Sequence, residues 1–260
     1  MSTRRAAAVV TVLVALLALT GCGGDASSTG SGATKDTGTL TVLAAASLTE
    51  TFTTLAHDFE ADHPGVKVRL AFDSSATLAE QVNQGAPADV LATADERTMQ
   101  SVVDQHGTKG APQVFATNHL QLVVPPDDPA GITTFADLAK PGVRYVVCVD
   151  TAPCGALAAT VLDATGITAR PASEEVDVKA VLSKVELGEA DAGLVYATDA
   201  VAAGDKVEAV DVPASDRNRT TYPVAALSGA DEPALAKAWV GLVTSVKGRR
   251  VLSDAGFGHP

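Results

Sequence analysis

Segments of strand character alternate with segments of helical character along most of this chain, and that alternation limits the fold more than any other feature. Leu40-Thr41-Val42-Leu43-Ala44 reads as a buried strand. Leu48, Phe52, Leu55, Ala56 and Phe59 then recur at spacings of three and four, one face of a helix that His63-Pro64-Gly65 stops. Val66 to Phe72 alternates like a strand, Leu78 to Gly85 suggests a short helix, and Ala88 to Ala92 is again a strand. Asp95 is placed to cap a helix through Val103. A second series starts at His119, with strands at Leu120–Val124, Tyr145–Val149 and Ala192–Tyr196. Its helices are expected at Phe135–Ala139, Pro153–Thr165 and Asp177–Leu187. Val207–Val210, a strand at Tyr222–Leu227 and a helix from Glu232 to Val246 complete the pattern. Such alternation predicts an α/β fold with mainly parallel sheets. Two series, with the chain returning at its end, predict two lobes: residues 39–118 with 223–260, and residues 119–222. The cleft between them is the expected ligand site, because ligands bind beyond the carboxyl ends of parallel strands.

The N-terminus says where the chain works. Arg4-Arg5 precede an apolar run from Ala6 to Leu19, and Leu19-Thr20-Gly21-Cys22 follows. A basic start, a short apolar core and small residues mark residues 1–21 as a secretory signal. The ending resembles the lipobox of bacterial lipoproteins, in which cleavage leaves the cysteine, here Cys22, to be lipidated. An uncleaved span is the competing reading, but about 14 apolar residues fall short of the roughly 18 to 20 needed. Residues 22–38 are rich in Gly, Ser and Thr and cannot bury enough apolar surface to order themselves, so a flexible tether is expected there. The expected location is the extracytoplasmic face of the cell membrane, with the lipid as the sole membrane contact.

Composition excludes some partners. The formal net charge is −12, and loss of Arg4 and Arg5 with the signal makes the chain more acidic still. Such a chain repels nucleic acid, and no basic stripe with interleaved aromatics offsets this. Hydrophobic residues make up 46% and aromatics only 4%, so the core is aliphatic. With Cys22 lipidated, Cys148 and Cys154 remain as an even pair in an oxidising compartment, which favours a disulfide over two separate buried thiols. No metal site is expected, because further ligands at usable spacing are missing around the two cysteines. No G-x-S-x-G elbow, P-loop lysine or H-E-x-x-H is present, and the five histidines are scattered.

Four strand-to-helix junctions carry small or polar residues: Ala44–Ser47, Phe72–Thr77, Ala152–Gly155 and Glu175–Val178. The first turn of a helix offers unpaired N–H groups and partial positive charge. Several converging on one cleft would bind an anion through neutral dipoles, with serine hydroxyls as added donors. Capping alone also accounts for a serine at a helix start, and the spacing leaves both readings open.

Five runs settle on a resemblance. Leu40–Thr49, Phe72–Gln81, Gly85–Val90, Gly193–Val201 and Tyr222–Ala225 resemble, in consistent order from about Thr39 to Gly256, the molybdate-binding proteins of ABC importers. The resemblance implies a two-lobed periplasmic-binding-protein fold of type II character, molybdate or tungstate as the ligand, a membrane permease as the partner, and no catalysis or cofactor. A monomer is expected. The implied oxyanion donors fall on the hydroxyls and backbone N–H groups of Ser47 and Ser75, the backbone N–H groups of Cys154 and Val178, and the Tyr196 hydroxyl. Cys154 departs from the family, which carries Ala there; a backbone contact tolerates the change. Molybdenum enters only as its oxyanion, with no direct protein–metal ligand. Another tetrahedral oxyanion such as sulfate remains the first alternative, since sulfate is equally ionised and only size separates it. A secreted hydrolase and a lipid-anchored scaffold are the others.

Overall fold

The computed structural model describes residues 37–213, 215 and 217–260. The expected signal, the lipidation site at Cys22 and the tether as far as Asp36 lie outside the described residues. The strands are β1 (Gly38–Ala45), β2 (Val66–Asp73), β3 (Val90–Ala92), β4 (Gln113–Val124), β5 (Tyr145–Cys148), β6 (Ser173–Glu175), β7 (Ala192–Tyr196), β8 (Glu208–Val210) and β9 (Arg219–Ala226). The helices are α1 (Thr49–Asp62), α2 (Ser75–Asn83), α3 (Glu96–Val103), α4 (Pro153–Thr165), α5 (Val178–Glu186), α6 (Ala197–Ala203), α7 (Pro233–Thr244) and α8 (Val246–Asp254).

The strands form a mixed sheet in the order β2-β1-β3-β9-β4-β7-β5-β6, with β8 paired to β4. In one half β2, β1 and β3 run parallel, from Gly38 opposite Val66 to Ala45 opposite Asp73. In the other half β6, β5 and β7 run parallel. Two antiparallel strands join the halves. Residues 113–119 of β4 pair with β9, and residues 120–124 pair with β7 and β8. The fold is α/β and two-lobed, as the alternation predicts.

Period-two patterning sorts the side chains of β1. Leu40, Val42 and Ala44 enter the main core with Phe52, Phe59 and Trp239, whereas Leu43 faces a smaller cluster with Leu78, Leu91, Met99 and Val102. Helices therefore cover both faces of that sheet half, the condition for buried parallel strands. Trp239 meets Phe52 and Phe59 edge-on at 5.6 and 5.5 Å, a favoured geometry for aromatic pairs.

The structure corrects the expected elements in three places. β4 begins at Gln113 rather than near Leu120, since the mixed run Gln113–Asn118, which shows no clean period, is set by pairing with β9. The expected helix Glu232–Val246 is α7, and a further helix, α8, follows it unexpectedly: Ser245 adopts an extended backbone between them and accepts the Gly248 N–H with its hydroxyl. Helix α6 and strand β6 were not expected; both are too short to show a period. Elsewhere the boundaries agree closely: α4 starts at Pro153 and ends at Thr165, and Asp95 caps α3 by accepting the Thr98 N–H at 2.8 Å.

Candidate functional site

Ser47, Ser75, Cys154, Val178 and Tyr196 all line one cavity, and each stands at or beside the start of a helix that follows a strand. The cavity is tight, with a free volume of about 10 Å³, far below the roughly 300–1,000 Å³ that takes drug-sized ligands. A wider groove of about 690 Å³ lies between α7 and the end of β9. It has none of these helix starts, so the donors and not the volume locate the site.

At two of these helix starts, local bonding uses up the other N–H groups of the first turn and leaves one beside the cavity. In α4, Pro153 has no N–H, and the N–H groups of Gly155 and Ala156 both go to the Ala152 carbonyl. Cys154 keeps its own. In α5, the Asp177 carboxylate accepts from Lys179 and Ala180 at 2.8 and 3.0 Å, and the Val181 N–H goes to the Asp177 carbonyl. Val178 keeps its own. At α2, the Asp73 carboxylate turns back to accept the Ser74 N–H at 2.6 Å, and the Ser75 N–H lies in a first turn that no side chain caps. Both acids line the cavity with the serines, yet each is engaged as an acceptor of backbone N–H.

The hydroxyls are aimed by their acceptor bonds. Ser75 Oγ accepts the Ala94 N–H at 2.9 Å, which leaves its own hydrogen to donate. Ser47, in a 3₁₀ turn after β1, shares a hydrogen bond of 2.9 Å with the Tyr222 hydroxyl. Tyr196, expected from the resemblance as a hydroxyl donor, ends β7 and is sealed from solvent. The residue is 1% exposed and its hydroxyl has no hydrogen-bond partner in the protein. Tyr222 approaches it ring to ring at 5.9 Å without hydrogen-bond geometry. Burial above all pushes the Tyr196 hydroxyl well above the usual phenol range. It therefore stays protonated at physiological pH and stands as a donor waiting for an acceptor. Leaving it unmet costs about 1–3 kcal/mol.

Cys148 and Cys154 form a disulfide with Cα atoms 5.7 Å apart. It ties the last residue of β5 to the second residue of α4. Gly155 lets the turn approach so closely, since a Cβ there would overlap the Val149 carbonyl oxygen. Among the described residues no Lys or Arg lines the cavity.

Residues 40–258 match the family described as bacterial extracellular solute-binding protein. The molybdate-binding protein ModA of Mycobacterium tuberculosis is 43% identical over 252 residues, covering 97% of this chain and 96% of that protein. Among solved structures, the periplasmic molybdate-binding protein of Azotobacter vinelandii superposes with a TM-score of 0.76 at 23% identity, covering 85% of this chain and 99% of that one. The sulfate-binding protein SubI of M. tuberculosis superposes with a TM-score of 0.75 at 18% identity, over 84% of this chain and 86% of that one. The chain belongs to the bacterial extracellular solute-binding protein family.

Two residues behind the donors of this solute-binding protein escaped the sequence reading. Tyr222 is buried against Ser47, and burial raises its hydroxyl far above the phenol range. Asn118 donates from Nδ2 to Thr198 at 2.9 Å and lies 3.5 Å from the Tyr222 hydroxyl. The Asn118 carbonyl oxygen accepts the His119 N–H, which turns the amide N–H groups toward Tyr222. Tyr222 lay inside a quoted motif, but only the crossing of β4 and β9 puts it beside Ser47. Asp89 ties the start of β3 to its neighbours: its two oxygens accept the Thr41 and Glu232 N–H groups at 2.7 and 2.9 Å.

Proposed function

We propose that this protein captures molybdate, or its near-equal tungstate, outside the cytoplasm and delivers it to an ABC permease. The single observation that carries the reading is the small cavity where Ser47, Ser75, Cys154 and Val178 present helix-start donors beside the unpartnered Tyr196 hydroxyl. Such a set suits a fully ionised tetrahedral oxyanion. Each oxygen accepts from fixed neutral dipoles, and no counter-charge needs desolvating. A lining rich in amide and hydroxyl donors also suits a fully ionised oxyanion better than one that keeps a proton, and one oxygen of each wall carboxylate, Asp73 and Asp177, is already engaged by backbone N–H groups. The relative named for molybdate at 43% identity supports the choice of ion.

In this reading residues 39–118 with 223–260 form one lobe and residues 119–222 the other, and they close on the ion. Cys22 carries the lipid that holds a monomer at the membrane, and no catalytic step is involved. Calorimetric titration with molybdate, tungstate, sulfate and phosphate at one salt concentration tests the proposal. One-to-one binding of the first two, at about −8 kcal/mol or better, with sulfate far weaker, is the expected result. Sulfate binding best would replace the ligand and keep the receptor. Silence for all four from folded, ligand-free protein would overturn the site.

A further inference from the structure

Lys179 stands where local physics disfavours a cation. It is the second residue of α5, at the positive end of the helix dipole, and its side chain is only 27% exposed. Burial draws its pKa down, but the charges of Asp199 and Glu50 outweigh that and raise it. Asp199, on α6, is fully buried and meets Lys179 as an ion pair at 3.0 Å. Glu50, on α1, is half exposed and meets it at 2.8 Å.

The two carboxylates differ in where they come from. Helix α5 covers β7 and packs against α6, so the pair with Asp199 lies within one half of the fold. Helix α1 covers the half built on β1 and β2. The pair with Glu50 therefore crosses the cleft and exists only while the two halves are together. Helix α1 continues the turn that carries Ser47, and α5 begins at Val178, so the bond joins two helix starts that bear donors. Neither Glu50 nor Lys179 lines the ligand cavity, and the charge of Lys179 is met twice over, so it is not an attractor for the ion.

We infer that the Lys179–Glu50 ion pair is a closure latch, in which both are positioning residues that hold the starts of α5 and α1 on the bound ion and slow its release. The inference rests on the oxyanion reading for the identity of the ligand only. A bond made after closure acts on dissociation and not on encounter. Because Glu50 is half in water, its worth is that of a partly screened pair, about two- to five-fold in rate. A second tie, from the Arg97 guanidinium to the Thr151 carbonyl at 3.0 Å, is independent of it, so loss of the latch leaves the closed form accessible.

The test compares the full chain with its Glu50→Gln variant, in which Lys179 keeps Asp199 and the fold keeps its buried pair. Both are loaded with sodium molybdate, and release on dilution is followed by intrinsic fluorescence. Release is expected to be about two- to five-fold faster in the variant at low salt, with association unchanged, and equal in about 1 M salt, where the Debye length is about 3 Å. Equal release at low salt overturns the latch. The reactivity of Lys179 with acetic anhydride, read by mass spectrometry, needs no assumption about the ligand's identity. The amine is expected to be more reactive in Glu50→Gln, and equal labelling overturns the pair. Wild type that binds no molybdate overturns the function proposed above, and the labelling then decides the latch alone.

Discussion

Removing the Cys148–Cys154 bridge separates what the disulfide does for stability from what it does for the site. The bridge spans a sequence separation of 6, and the loop it closes restricts the unfolded chain by about 2.3 kcal/mol on the chain-entropy relation. For a folded part of about 220 residues, that lowers the midpoint of thermal unfolding by roughly 5–9 °C. The double variant Cys148→Ala/Cys154→Ala keeps both positions apolar, as their burial demands. Thermal unfolding of the ligand-free variant, and of wild type with and without reductant, reads the effect. Affinity should change far less than stability. The Cys154 N–H belongs to a turn that Pro153 and the two bonds to the Ala152 carbonyl also hold, so a loss under about tenfold, near 1.4 kcal/mol, is expected. An unchanged midpoint would refute the entropic account. A loss of binding beyond a hundredfold would refute the view that only the backbone of Cys154 serves the ligand.

Tyr196→Phe should leave the ligand-free protein as stable or more stable, since it removes a buried hydroxyl without a partner worth about 1–3 kcal/mol, while weakening oxyanion binding by calorimetry. A destabilised variant with unchanged affinity would contradict the role given to that hydroxyl. Ser47→Ala and Ser75→Ala should each weaken oxyanion binding by about 1.5–3 kcal/mol, the worth of a hydrogen bond to a charged group; undiminished binding in either would remove that residue from the site. Asp199 supplies a pH signature. Burial, opposed by Lys179, lifts its carboxyl from 3.8 to about 6, so the folded state holds that proton more tightly than the unfolded state. Its contribution to stability is full below about pH 4 and lost as pH rises through about 6. The stability of wild type relative to Asp199→Asn, from denaturant unfolding without ligand, should therefore fall between about pH 4 and pH 7. A flat difference would show that Asp199 does not titrate there.

Local chemistry was enough to find the elements and the helix starts. Leu48, Phe52, Leu55 and Phe59 specify α1 because a helix in a parallel-sheet layer must bury one face. Pro153 and Asp177 announce α4 and α5 because each settles the backbone N–H groups of a first turn. The five candidate donors became legible by resemblance, each tied to its own helix start by a short motif. The sequence also carried the cysteine pair, through its even count in an exported chain.

What the chain alone left open depends on strands and helices distant in sequence. Residues 113–118 look like a loop until β9 pairs with them, because antiparallel strands that join two sheet halves need no continuous apolar run. Tyr222 reaches Ser47 across 175 positions, and Lys179 reaches Glu50 across 129. No local pattern encodes such distances, since a hydroxyl or a charge shows no periodicity that names its partner. Whether Tyr196 is wet or sealed, whether Asp73 faces the cavity or the solvent, and whether four helix starts meet or diverge are all set by how the two sheet halves fold over one another. The sequence by itself determined which donors exist. Only the tertiary structure decided that they enclose one small cavity, because convergence is a property of packing between elements and not of any element alone.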